Sequence, residues 1–317
     1  MTPSSLRGRY APSPSGALHL GNLRTALLAW LSSRSLGGSF ALRIEDLDLP
    51  RTRPGAAAAL LADLRWLGLD WDDGPDVGGP YGPYYQSQRT ALYDAAFAGL
   101  RARDLIYPCY CTRAELARVG GAPHAGEEGL AYPGTCRDLS DAQRRRRDHE
   151  GRRRAWRLRV PDGEIAFYDA LTGDKREKLV TTCGDFIVRR GDGLYAYQLA
   201  VVVDDALMGV TQVVRGADLL GSTARQLALY DTLGYPRPRN YAHVPMLRDA
   251  TGVRLSKREA ASGLDPLRAR GMQPAQVVGW LAASCGLTPN ATPIAARDLA
   301  ATFDASAIRE IGTLAAL

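Results

Sequence analysis

The stretch that most restricts the possible folds is residues 8–36, GRYAPSPSGALHLGNLRTALLAWLSSRSL. A short strand at residues 9–11 runs into a loop of prolines, serines and glycine that ends at His19. From Leu20 onward, Leu23, Leu27, Leu28 and Trp30 fall near helical period, and the Gly37-Gly38 pair suits a left-handed helix terminus. The helix starts where the turn residues stop. Its unpaired N–H groups and its dipole therefore face whatever the loop surrounds, and such a place attracts anions. A second strand at residues 39–44 (SFALRI) and a second helix at residues 54–67 follow. This alternation predicts an α/β fold with a doubly wound parallel sheet. Ligands of such sheets sit beyond the C-terminal strand ends, where the Ser-Gly-His loop and the acidic cluster Glu45, Asp46 and Asp48 both lie.

The chain has 317 residues, 45% hydrophobic and 23% charged, which excludes a disordered chain and allows two or three domains. Residues 1–104 read as the first half of a catalytic domain. Residues 105–184, with cysteines, glycine-rich turns and arginine runs, read as an inserted module. Residues 185–250 read as the second half: a hairpin over 186–199, a buried strand over 200–203, a strand at 210–216, a helix over 218–233 and a strand at 241–247. Residues 251–317 read as a loop and a helical tail, shorter than a typical domain. No apolar run is long enough to span a bilayer and no signal-like core opens the chain, so a cytoplasmic protein without a membrane partner is expected. A net charge of +6 fits a polyanionic partner. Five cysteines, an odd number, argue against a disulfide framework and leave room for a metal.

The segments 9-RYAPSPSGALHLGN-22, 43-RIEDLD-48, 197-YQLAVVVDD-205, 214-VRGADL-219 and 254-RLSKR-258 together resemble the class I aminoacyl-tRNA synthetases of the glutamate-activating type. His19-Leu20-Gly21-Asn22 stands where that family has His-Ile-Gly-His. Arg254-Leu255-Ser256-Lys257-Arg258 stands where it has Lys-Met-Ser-Lys-Ser. The resemblance spans residues 8–258 and implies a Rossmann-like catalytic domain in which a carboxylate attacks the α-phosphate of ATP. That carboxylate is ionised at pH 7, so positioning and charge stabilisation suffice. The expected catalytic residues are His19, Asn22 and Lys257. The expected ATP site is Pro12, Gly16, His19, Gly21, Asn22, Ser256 and Lys257, with Mg²⁺ accompanying the nucleotide. Asn22 in place of the second histidine changes one phosphate contact, and Arg254-Leu255 replaces the leading Lys-Met.

Charge defines the amino-acid side. Two carboxylates call for arginine, so Arg9 and Arg215 are candidates, with Glu45 for the ammonium and Tyr197 for a hydroxyl and one wall. The resemblance implies the same positions for L-glutamate, with Ala11 and Ser13. In the inserted region, Cys109, Cys111 and Cys136 supply three soft ligands for Zn²⁺, and Tyr132, His124 and His149 are candidates for the fourth. The resemblance favours Tyr132, four positions before Cys136. Cys183 and Cys285 have no partner pattern. The run Arg144 to Arg147 lacks interleaved aromatics and reads better as a solvated face than as an RNA contact.

Ser15 in the first loop, the AVVVDD run and the early end of the chain resemble the truncated branch of this family. That implies a chain without a separate anticodon-binding domain, glutamate activation without tRNA, then transfer to queuosine in the anticodon stem-loop of tRNA(Asp); a monomer is the default expectation. The alternatives are a short enzyme charging the tRNA 3′ end, another adenylate-forming enzyme on this fold, and an inactive RNA-binding paralogue.

Overall fold

β1 (Arg7–Tyr10) is buried at every position, the pattern of a strand covered on both faces rather than one. It pairs in parallel with β2 (Ser39–Leu42) through α1 (Leu20–Arg34). α2 (Ala56–Trp66) and α3 (Thr90–Ala102) follow. On its other side β1 lies against the start of β8 (Gln212–Gly216): Thr211 N–H donates to the Arg7 carbonyl at 2.9 Å, and Arg7 N–H donates to Thr211 Oγ1 at 2.8 Å. β8 pairs in parallel with β9 (Asn240–Val244). The catalytic sheet is therefore parallel with helices on both faces, as the alternation predicts. The computed structural model describes residues 6–112, 114–116, 131–247 and 263–308.

The region between the two halves folds as β3 (Ile106–Cys109), α4 (Asp141–His149), β4 (Ala155–Leu158), the hairpin of β5 (Ile165–Asp169) and β6 (Gly173–Glu177), and the short α5 (Leu179–Thr182). β7 (Ile187–Arg189), α6 (Tyr197–Leu207) and α7 (Thr223–Leu233) continue the chain. Two pairings cross the expected boundary at residues 184 and 185. β7 adds to the antiparallel pair β3–β4, and Asp169 at the end of β5 pairs in parallel with Tyr241 of β9. The inserted sequence thus shares hydrogen bonds with the catalytic sheet.

The segment at residues 200–203, expected as a strand, is the middle of helix α6. Residues 199–205 are all buried, so no polar face reveals the helical period, and a short apolar run reads the same either way. The expected hairpin over 186–199 keeps its turn and the bridge from Arg189 to Tyr195, but its second arm becomes α6. The tail forms α8 (Leu264–Ala269), α9 (Pro274–Ala283) and α10 (Ala296–Ala301). Residues of α1, α2, α8, α9 and α10 share a core on one side of the sheet, and α3, α6 and α7 share another. No helix among the described residues is long and apolar enough to cross a membrane.

Between sheet and helices lies a buried cluster of ion pairs. Asp205 accepts from Arg43 Nη1 at 2.7 Å and from Arg9 Nε at 3.2 Å. Asp204 accepts from Arg89 Nε at 2.6 Å, Gln86 Nε2 at 2.8 Å and the Tyr93 hydroxyl at 2.9 Å. Arg43 also reaches Glu45 at 3.2 Å. Burial opposes a charge on Arg43, yet the carboxylates of Asp205, Asp204 and Glu45 outweigh it and hold the guanidinium firmly protonated. Deleting one partner of such a group leaves uncompensated buried charge. Asp204→Ala is expected to destabilise the fold by about 3–5 kcal/mol, read as a lower urea midpoint at unchanged slope.

Candidate active site

A cavity of about 780 Å³ opens beyond the C-terminal ends of β1 and β8, bordered by the first loop and the N-terminus of α1. Its lining includes Arg9, Ala11, Pro12, Ser13, Gly16, His19, Gly21, Asn22, Glu45, Tyr197 and Arg215. These are all the expected nucleotide and amino-acid residues except Ser256 and Lys257. The 254–258 signature, like His124, lies outside the described residues.

The loop is held in place by its neighbours. Glu45 N–H donates to the Pro12 carbonyl at 2.9 Å, and Arg53 N–H donates to the Pro14 carbonyl at 3.1 Å. Gly16 has φ +141°, a conformation that side chains rarely adopt. His19 caps α1: its Nδ1 accepts from the Asn22 N–H at 3.2 Å. The same ring borders the cavity, so the residue that caps the helix is also part of the lining. Gly21 leaves room for this ring, because a Cβ there would crowd it at 3.1 Å.

The opposite wall is charged. Arg9 is 4% exposed, fixed by Asp205 and by the Val214 carbonyl at 3.2 Å. Arg215 is also 4% exposed. It donates to His243 Nε2 (3.0 Å), Gln226 Oε1 (2.7 Å), Thr223 Oγ1 (2.9 Å) and the Leu219 carbonyl (3.3 Å). Four acceptors occupy four of its five N–H groups, so Arg215 cannot grip a carboxylate with two parallel bonds, the mode its residue type suggests. Glu45 faces the same space. Burial raises its carboxyl to about 7, against the opposing pull of Arg43. Burial likewise raises the Tyr197 hydroxyl, while Arg9 and Arg43 overcome burial at Asp205 and keep it ionised. The lining also includes Arg51 and Met246, which lie in none of the sequence motifs, and Asp218 of the 214–219 segment.

Apart from this cavity, Cys109, Cys111 and Cys136 converge so that their sulfurs lie within 4.8 Å of one another. The Tyr132 hydroxyl stands 3.4 Å from Cys109 Sγ and 3.9 Å from Cys111 Sγ, and Cys111 Sγ is 3.6 Å from Cys136 Sγ. A tetrahedral ion with Zn–S bonds near 2.3 Å has sulfur–sulfur edges of about 3.8 Å, so the three thiols and the phenol suit a zinc ion in size and donor type. The Arg157 guanidinium stacks 3.7 Å over the Tyr132 ring and sets a positive charge beside this donor set. His149, the other described candidate for fourth ligand, lies on the exposed last turn of α4.

Residues 5–298 match the family described as tRNA synthetases class I (E and Q), catalytic domain. The chain belongs to this family. It is 54% identical over 304 residues to a glutamyl-Q tRNA(Asp) synthetase of Symbiobacterium thermophilum, covering 96% of this chain and 94% of that one. It is also 54% identical to the Nitratidesulfovibrio vulgaris protein of that name, covering 92% of this chain and 90% of that one. A glutamate–tRNA ligase of Alkalilimnicola ehrlichii is 46% identical, but the match covers only 59% of its length. Among solved structures, the glutamate-tRNA synthetase of Elizabethkingia anophelis superposes with a TM-score of 0.83 at 28% identity, covering 98% of this chain and 68% of that one.

In this class I synthetase the cavity sets a carboxyl that titrates near neutrality among guanidiniums. Above about pH 7 Glu45 carries its charge and can hold a cation; below that it becomes neutral and the attraction fades. Potentiometric titration of the full chain and of Glu45→Gln between pH 8 and 6 is expected to differ by about 0.8 proton, centred near pH 7.

Proposed function

We propose that this cavity activates L-glutamate with ATP, without tRNA present, and then presents the glutamyl-adenylate to the queuosine base of tRNA(Asp). The observation that carries this reading is the near full-length similarity to glutamyl-Q tRNA(Asp) synthetases, joined to a single cavity with an anion-binding helix start on one wall and an acid-and-guanidinium wall opposite.

The chemistry follows from these walls. The N-terminus of α1, His19 and Asn22 receive the triphosphate, and Gly16 and Gly21 let backbone approach it. Lys257 and Ser256, on the second signature, complete the nucleotide site and neutralise charge as pyrophosphate leaves. Arg9 offers the N–H groups that Asp205 and Val214 leave free and Arg215 its one remaining N–H to the side-chain carboxylate, Glu45 takes the ammonium, and Tyr197, Ala11 and Ser13 close the pocket. The α-carboxylate attacks the α-phosphorus and the bond to pyrophosphate breaks. A cyclopentenediol hydroxyl then attacks the mixed anhydride, AMP departs, and the hydroxyl proton passes to solvent. Mg²⁺ travels with ATP as its charge partner. Cys109, Cys111, Cys136 and Tyr132 hold Zn²⁺, which cross-links the insert and takes no part in transfer. A single chain is the proposed working unit, and ATP and tRNA place the work in the cytoplasm.

Labelled glutamate is expected to enter queuosine-containing tRNA(Asp) and not the queuosine-lacking form. Charging of unmodified tRNA(Glu) at its 3′ end would instead identify a short glutamate ligase. Metal analysis of the purified chain is expected to find one zinc per molecule, lost in Cys109→Ser together with part of the thermal stability.

A further inference from the structure

We infer that Asp169 and His243 are positioning residues that set Arg215 for the amino-acid substrate. This inference rests on the reading of Arg215 as a glutamate-binding residue. Both are fully buried, at 0% exposure, so neither can touch a ligand in the cavity. Each nevertheless stands in line with a guanidinium that does line it.

The geometry determines the direction of every hydrogen bond. His243 Nδ1 lies 2.6 Å from Asp169 Oδ2, and His243 Nε2 lies 3.0 Å from Arg215 Nε. An arginine Nε–H only donates, so Nε2 must accept and the ring proton must sit on Nδ1, where Asp169 receives it. Thr223 agrees with this assignment. Its Oγ1 accepts from Arg215 Nη2 at 2.9 Å and lies 3.1 Å from Nε2, to which it can donate. Burial lowers the histidine's affinity for a second proton, so Nε2 keeps its lone pair at neutral pH. Asp169 is held in turn. Its Oδ1 accepts from the Leu171 and Thr172 N–H groups and the Thr172 hydroxyl, leaving Oδ2 for the ring.

Strand register assembles the set. Arg215 and His243 are direct partners across β8 and β9, so their side chains leave the sheet on one face. Asp169 reaches the same place because β5 joins β9 at Tyr241. The carboxylate comes from the sequence expected to form a separate module. Without this lock Arg215 would retain Gln226, Thr223 and Leu219 as partners, but nothing would orient its Nε edge. The consequence falls on substrate affinity more than on chemistry.

The test is glutamate-dependent ATP–pyrophosphate exchange with the full chain. Asp169→Asn keeps the size of the residue and lets an amide N–H face Nδ1. The proton then moves to Nε2, where it opposes the Arg215 donor. The expected result is a KM for glutamate raised about tenfold or more, with kcat and the KM for ATP within about threefold and the melting temperature nearly retained. His243→Leu removes the acceptor and is expected to raise the same KM. His243→Gln supplies an amide oxygen and is expected to recover at least about threefold of that loss. A wild-type KM for glutamate in Asp169→Asn overturns the inference. If that variant does not fold, equal KM values for His243→Leu and His243→Gln overturn it. Arg215→Ala stands apart as the control: an unchanged KM for glutamate there removes the underlying reading of the site, whatever the other variants do.

Discussion

One carboxylate, that of Asp205, carries the charge pattern of the cavity. It is shared between Arg9 and Arg43, and Arg43 extends the chain of contacts to Glu45. The cavity can therefore present a guanidinium and a carboxylate in one small space without the two collapsing onto each other. Arg9 is anchored from behind by Asp205, and Glu45 by Arg43, which Asp205 also holds. Ion pairs of this kind gain little net stability, because desolvation offsets most of the attraction. What they secure is placement: a ligand with both charges meets partners whose separation is already set. The same arrangement explains why Glu45 titrates near neutrality while Asp205 does not. Asp205 has two guanidiniums for one carboxylate, whereas Glu45 has one partner, shared with two aspartates.

Arg215 follows the same rule by other means. Its guanidinium is nearly saturated by neutral acceptors, and the orientation of the key acceptor, His243, is decided by Asp169. The two cavity arginines thus differ. Arg9 is balanced by charge, and Arg215 is oriented by a histidine lone pair. The region between the two catalytic halves takes part in both of its apparent tasks. It gathers a cysteine-rich cluster at one end and delivers Asp169 to the catalytic sheet at the other.

How legible these features are in the sequence depends on distance along the chain. The loop before α1, its capping histidine and Glu45 sit in short contiguous motifs whose residue types already imply turn, helix start and charge. The Cys-x-Cys pair and Tyr132-x-x-x-Cys136 are likewise local: the cysteines stood out as soft ligands by themselves, and the family resemblance favoured Tyr132 over His124 and His149. Reading failed where burial erased periodicity. Residues 200–203 are apolar on every side, so β-branched valines suggest a strand although they form the middle of α6. It also failed where strand order mattered. Nothing local in DALTG, residues 169–173, suggests that Asp169 belongs beside a histidine 74 positions later.

The sequence by itself determined the alternating elements, the anion-attracting helix start and the residue types lining the cavity. Those properties come from backbone propensity and side-chain chemistry, which act over a few residues. Only the tertiary structure decided that α6 is a helix, that β5 crosses into the catalytic sheet, and that Arg215 has one N–H left rather than a free fork. Strand register and burial are properties of the assembled chain. They choose among pairings that are equally open to each segment alone.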